Sequence, residues 1–339
     1  MQLNDIWFLV VGFLFIGYFV LDGFDFGVGI SLPFLGKDDV DRRVLINTIG
    51  PVWDLNETWV LVAGASLFAA FPEWYASLFS GFYLPLLLIL AALIARGVAF
   101  EYRGKGHTIG ANEARWKATF DWMIVIGSAL PALLWGVAFA NIVQGVPLNE
   151  NHIYTGDLFT LLNPYGLLGG LVTLTLFWTH GLIFITLKTE GEIKNRARIL
   201  ASKVGVVTTL LAAVFLTVTL LAHFTVLGFI LSAVAALTLI AGLFANRLKK
   251  EGVSFSLIIV TIATAVGSLF AALFPNVFPS TTNPAFSLTV DNAASSEYTL
   301  TVMSWVAVIM IPLVLLYQGW TYWVFRKRIS RSSIPAQAH

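Results

Sequence analysis

Apolar residues run through this chain in long blocks, not in the stripes of a soluble amphipathic helix. A helix needs about 20 mostly apolar residues to cross about 30 Å of hydrocarbon. Blocks of that length recur near 7–34, 50–71, 78–98, 119–143, 161–187, 204–221, 226–245, 254–274 and 299–325. As one helix, 204–245 would be about 63 Å long, twice the bilayer. It is therefore expected to turn near His223 and Thr225. The pattern predicts an all-α integral membrane protein with nine transmembrane helices. The first block is expected to remain a true span, because residues 1–6 carry no Lys or Arg and no small-residue cleavage site ends the block. No internal repeat or linker marks a second domain, so residues 1–339 are expected to form one polytopic unit.

Charge orients the spans. Of the 20 Lys and Arg residues, all but Arg96 fall at 35–49, 99–118, 188–203, 247–250 and 326–331. The alternate loops, near 72–77, 144–160, 222–225 and 275–298, hold none. The positive-inside rule places the basic loops and the carboxyl tail in the cytoplasm, and an odd number of spans then places Met1 outside. The Pro-containing loop 275–298 is expected to pack as a surface loop.

Composition agrees and narrows the chemistry. Hydrophobic residues make up 58% of the 339 and charged residues 12%, about half the charge of a soluble domain. The net charge of +1 argues against a nucleic-acid partner. With no cysteine, the chain has no disulfide, thiolate metal site, iron–sulfur cluster or covalently attached c-type haem.

Ionisable groups within the hydrocarbon layer are costly and usually face a protein interior or a water-filled cavity. Asp22 and Asp25 share a face of the first span at i, i+3, and Asp54 and Glu57 repeat that spacing on the second. At about 1.5 Å per residue, Asp54 lies about 6 Å from the inner surface, Glu57 about 11 Å, Asp25 about 14 Å and Asp22 about 18 Å. Reflection through an outer turn between Glu73 and Trp74 brings Arg96 level with Asp54, which makes an Asp54–Arg96 pair available. Four carboxyls near one guanidinium are expected to share protons and exchange them with the inner aqueous phase. Bland readings stand beside this one. Gly23 and Gly27 form a small-xxx-small pair that often signals only close helix packing, and Arg96 could snorkel to the surface. Glu101 and Asp121, near inner helix ends, fit an entrance or solvated surface equally well.

Histidine is sparse. His107, His152 and His339 fall in loops or the tail and His223 at an outer turn, so His180 alone is clearly intramembrane. It is read as a hydrogen-bonded packing residue, and this chain is expected to hold no haem itself. Trp320, Tyr322 and Trp323 suit an interfacial aromatic belt. Buried acids with Pro85 and Pro131 would also fit a proton-coupled secondary transporter, or acids that only support assembly.

The runs Asp22-Gly23-Phe24-Asp25-Phe26-Gly27-Val28-Gly29, Arg42-Arg43, Trp53-Asp54 with Pro51, Asn56 and Trp59, and Phe79-Ser80-Gly81-Phe82-Tyr83 resemble subunit II of the cytochrome bd-type quinol oxidases. So do Arg96, Tyr102-Arg103, Arg115-Trp116, Asp121-Trp122, Gln144-Gly145-Val146-Pro147, Leu162-Asn163-Pro164-Tyr165-Gly166-Leu167-Leu168, Phe274-Pro275, Pro279-Ser280 and Trp305-Val306-Ala307. The likeness is densest in the first 170 residues and near 200–265 is one of hydropathy alone.

The resemblance implies two four-helix bundles (1–143 and 161–274), a peripheral ninth helix (299–325) and a cytoplasmic tail (326–339) in a bacterial or archaeal cell membrane. It implies a heterodimer with subunit I, which carries the quinol site, two b-type haems and one haem d. Quinol is oxidised on the outer side, and oxygen is reduced to water with cytoplasmic protons. A structural quinone within this subunit, and a small one-helix third subunit, also belong to the family picture. The Asp of the Trp53-Asp54 pair maps onto the family's proton route, and Asp25 and Glu101 match other acids along it. Glu57 matches a position where the family also admits an uncharged amide. Asp22 is a further candidate for the proton pathway, Arg96 is the charge partner of these acids, and Trp53 and Asp121 are supporting candidates.

Overall fold

The computed structural model describes residues 2–110 and 112–334, with backbone alone at 107–109. The expectations for Met1, His339 and the His107 ring fall outside the described residues.

The apolar blocks become helices because lipid offers the backbone no other hydrogen-bond partner. With the short connecting helices included, the order is α1 (Leu3–Leu35), α2 (Asp39–Ile49), α3 (Trp53–Ala70), α4 (Pro72–Gly81), α5 (Tyr83–Tyr102), α6 (Glu113–Gln144), α7 (Leu158–Leu161), α8 (Pro164–Lys188), α9 (Gly191–Ala222), α10 (Val226–Arg247), α11 (Glu251–Leu273) and α12 (Glu297–Val324). Side-chain caps mark several starts: Asp38, Asn112, Asn163, Thr225 and Ser296 each accept from a backbone N–H in the first turn that follows. Among the described residues eight helices, α1, α5, α6 and α8 to α12, are long and apolar enough to cross a membrane. α3, where the second span is expected, is not among them. It has 18 residues, and its first two turns carry Asp54, Asn56 and Glu57.

The stretch 204–245 breaks at His223, between α9 and α10, as its length requires. The third block departs from expectation. Pro72 starts a separate short helix, α4, and the long helix begins only at Tyr83 rather than near 78. The intervening helix shifts the register of α5 against α3.

α1 is the centre of the fold and packs against α3, α6, α8 and α11. Its closest approach is to α8, where a Cβ on Gly27 would lie 2.0 Å from the Phe177 carbonyl oxygen and 2.7 Å from Gly181 Cα. The small-residue reading of Gly27 is therefore sound, and glycine is required on both helices. The segment 275–298 packs as expected. Asn276–Phe278 pairs antiparallel with Leu288–Thr289, burying Val277, Phe278 and Leu288. Ser295 ties it to α3 by donating to the Ala69 carbonyl at 2.6 Å. By contrast α12 is apolar and exposed along most of its length; within it only Leu300, Gln318 and Thr321 are buried.

Candidate functional site

Three helices converge on one buried guanidinium. Helical spacing directs Asp22 and Asp25 from α1 toward α3 and α5, and both are sealed from solvent. Arg96 on α5 is also fully buried. Its Nη2 donates to Asp22 Oδ1 at 2.7 Å and to Glu57 Oε2 at 2.9 Å. The guanidinium carbon lies 4.5 Å from the centroid of the Phe26 ring, a cation–π contact from the same face of α1. Gly127 on α6 lets α5 approach: a Cβ there would lie 2.8 Å from Arg96 Cβ. Isolated charges at this depth would be prohibitive, and pairing is what makes the set tolerable.

The expected Asp54–Arg96 pair does not form. Glu57 lies thirteen residues before the end of α3 at Ala70, and Arg96 thirteen residues after the start of α5 at Tyr83. Once α4 is inserted between the two helices, Glu57 rather than Asp54 is level with Arg96. Asp54 is exposed, one turn nearer the end of the bundle that carries the basic loops. Both acids line a cavity of about 590 Å³ between α3 and α5, with Tyr75, Tyr83 and Trp135 farther along its wall. Glu57 thus has one side on an open cavity and the other on a sealed ion pair.

Asp25 is held differently. Its Oδ2 accepts from Asn56 Nδ2 at 2.8 Å, and that amide also donates to the Leu21 carbonyl at 3.3 Å. Asn56 Oδ1 in turn accepts from Gln318 Nε2 at 2.9 Å and from the Tyr322 hydroxyl at 2.7 Å. Tyr322 therefore turns inward rather than joining an interfacial belt. Gln318 and Tyr322 are site residues that the sequence reading missed. The available signal was a single amide in the apolar block 299–325, four residues from a tyrosine.

The remaining candidates sit apart. Asp121 is buried but saturated by Arg103 (Nε at 2.5 Å) and Arg42 (2.9 Å), with Asp39 and Lys117 joined through Arg103. It is neither a solvated surface acid nor in contact with Asp22 or Asp25. Asp39 is held below the usual carboxylate range: partial burial opposes this, but hydrogen bonds from Arg103 and Lys117 outweigh it. Glu101 is exposed at the end of α5, outside both clusters. Trp53 is half-buried, its ring 5.1 Å from that of Phe100.

His180 is fully buried, its Nε2 3.0 Å from the Val20 carbonyl oxygen and its ring stacked 4.9 Å from Phe255. Its Nδ1 is buried without a hydrogen-bond partner among the described residues. Among the described residues no group of three or more His, Cys, Asp or Glu is placed to hold a metal ion.

The family model for cytochrome bd terminal oxidase subunit II matches residues 3–325. The chain belongs to that family. As a cytochrome bd oxidase subunit II it is one subunit of a membrane-located oxidoreductase complex, assembled with a subunit I and carrying haem in the complex as a whole. It is 43% identical over 334 residues to cytochrome bd ubiquinol oxidase subunit 2 of Bacillus subtilis, with 97% of each chain covered. It is 39% identical over 375 residues to cytochrome bd-I ubiquinol oxidase subunit 2 of Escherichia coli, covering 99% of this chain and 98% of that one. A chain in the structure of bd oxidase from Geobacillus thermodenitrificans superposes with a TM-score of 0.77 at 16% identity, covering 96% of this chain and all of that one. At that identity the superposition speaks for the fold alone. The transporter alternative gives way to the family match.

Proposed function

We propose that this subunit II carries protons from the inner aqueous phase toward a haem-bearing subunit I, through the acids gathered around Arg96. Nineteen of the 20 basic residues in one set of loops support an orientation with that end in the cytoplasm. α3 would serve as a short ninth span, held in place by its polar contacts to α1, α5 and α12. Two four-helix bundles (1–143 and 161–274) with α12 at the periphery is the arrangement we assign.

In the complex, the haems of subunit I, two b-type and one d-type, would pass electrons from quinol to oxygen. The residues of this chain handle protons. Asp54, exposed at the mouth of the α3–α5 cavity, accepts a proton from the inner aqueous phase. Glu57 takes it one turn deeper through water in that cavity. Arg96 holds Glu57 and Asp22 on one guanidinium, so that proton arrival at one changes the charge felt by the other. Asp25 is the carboxyl linked through Asn56 to α12. Glu101 would feed the entrance, with Trp53 and Asp121 supporting the helix ends. A structural quinone in this subunit and a one-helix third subunit are compatible with the apolar faces left open.

The observation that carries the proposal is Glu57 bonded to Arg96 while facing an open cavity. In the purified complex, Asp54→Asn should cut oxygen consumption sharply while the haem spectra stay intact. Unchanged turnover removes Asp54 from the route.

A further inference from the structure

Given the proton route proposed above, we infer that Gln318 and Tyr322 on α12 are positioning residues, which act through Asn56 to leave Asp25 a single oxygen free for proton exchange. The geometry is unusually restrictive for an amide. Both Asn56 Nδ2 donations are taken, by the Leu21 carbonyl and Asp25 Oδ2, and both oxygen lone pairs accept, from Gln318 Nε2 and the Tyr322 hydroxyl. Rotating the amide by half a turn would set its oxygen against the Leu21 carbonyl, which can only accept, so Nδ2 faces Leu21 and Asp25 and Oδ1 is left to Gln318 and Tyr322. The two residues of α12 complete that arrangement by filling both acceptor positions of Asn56 Oδ1 and holding the side chain against Asp25.

A locked Asn56 always donates to Asp25, so Oδ2 is always an acceptor. A proton bound to Asp25 must then sit on Oδ1, which is buried and has no partner among the described residues. Asp22 Oδ2, Arg96 Nε and Arg96 Nη1 share that condition. Asp22 and Asp25 thus share one face of α1, and each keeps one buried oxygen without a partner among the described residues. A donor chain runs one way, from Tyr322 to Asn56 to Asp25, and orients the acid without itself carrying the proton.

The way α12 docks points in the same direction. In its second half, Gln318 and Thr321 are the buried residues, while Leu313 to Tyr317, Trp320 and Trp323 are exposed. A helix needed only as a lipid-facing prop would dock through apolar or small side chains. This one reaches the bundle through an amide and a phenol aimed at the residue that holds Asp25.

The test uses the complete oxidase complex and compares Tyr322→Phe, Gln318→Leu and Asp25→Asn. Tyr322→Phe keeps the ring and removes only the hydroxyl, so it remains informative if Gln318→Leu fails to assemble. Tyr322→Phe should lower turnover per haem roughly tenfold, the low end of what supporting hydrogen-bond partners contribute at other sites. It should also displace the pH profile of turnover, with quinol KM and the haem spectra unchanged. A profile superimposable on that of the unaltered complex overturns the inference, even if the yield of complex falls, because that pattern belongs to docking alone. Asp25→Asn separates the two claims. If Asp25→Asn abolishes turnover and Tyr322→Phe leaves the profile in place, the route stands and the positioning role fails. If Asp25→Asn turns over normally, the route through Asp25 fails and the positioning role fails with it.

Discussion

Arg96 Nη2 lies 2.7 Å from Asp22 Oδ1, and neither side chain has any accessible surface. One member of such a pair cannot be removed without stranding the other. Arg96→Leu leaves a buried carboxylate uncompensated, a loss of about 3–5 kcal/mol. The expected result is a large fall in thermal stability and yield of the complex. Adding Asp22→Asn should restore part of it, and a double-mutant cycle on melting temperature measures the coupling. Additive losses would mean that the pair holds no interaction energy.

Glu57 stands between the cavity and that pair. Glu57→Gln keeps the shape and can still hydrogen bond, but it cannot take up and release a proton. Turnover is expected to fall by about tenfold or more, within the range of general acid–base contributions, while yield and haem content stay near normal. Oxygen uptake per haem is the measurement. A variant as fast as the parent removes Glu57 from the route.

Gly27 and Gly181 bring two backbones into contact, so a methyl group has nowhere to go. Gly27→Ala would place Cβ 2.0 Å from the Phe177 carbonyl oxygen. The cost is expected to exceed the usual 1–3 kcal/mol (approximate range) of overpacking, because backbone rather than a flexible side chain must move. Gly64→Ala, with nothing within 4 Å of its Cβ, is the matched control and should be silent. Melting temperatures in detergent give the comparison.

The segment after α12 is clamped by charge at Arg331. Arg331 Nη2 lies 2.7 Å from Asp38 Oδ2, Arg331 also pairs with Asp41, and the Ile329 N–H donates to the Lys188 carbonyl at 2.8 Å. The hydrogen bond from Arg331, followed by those from backbone N–H groups of α2, holds the Asp38 carboxyl below the usual range. Its contribution to docking is therefore complete above the ordinary carboxylate pKa and is lost as pH falls through the lowered one. The pair is exposed and screened by salt. With no native cysteine, a spin label at Ser332→Cys reports the tail directly. It should be held at neutral pH and mobilised by acid or high salt; mobility independent of both would exclude the clamp.

The apolar blocks settled which stretches become helices, because a backbone in lipid has no partner but itself. Loop charge supplied a testable orientation, and i, i+3 spacing put Asp22 beside Asp25 and Asp54 beside Glu57, since helical periodicity is local. Even the Gly27 contact was legible as a small-residue pattern. Which acid meets Arg96 was not: it depends on α4, a ten-residue helix that offsets α5 against α3 and so selects Glu57 over Asp54. Nor was the hold on Asp25, which joins Asn56 to Gln318 across 262 positions of sequence. Periodicity says which residues share a face of one helix. The partner of that face is decided only when the helices dock, through turn geometry and backbone clearance that no single segment encodes.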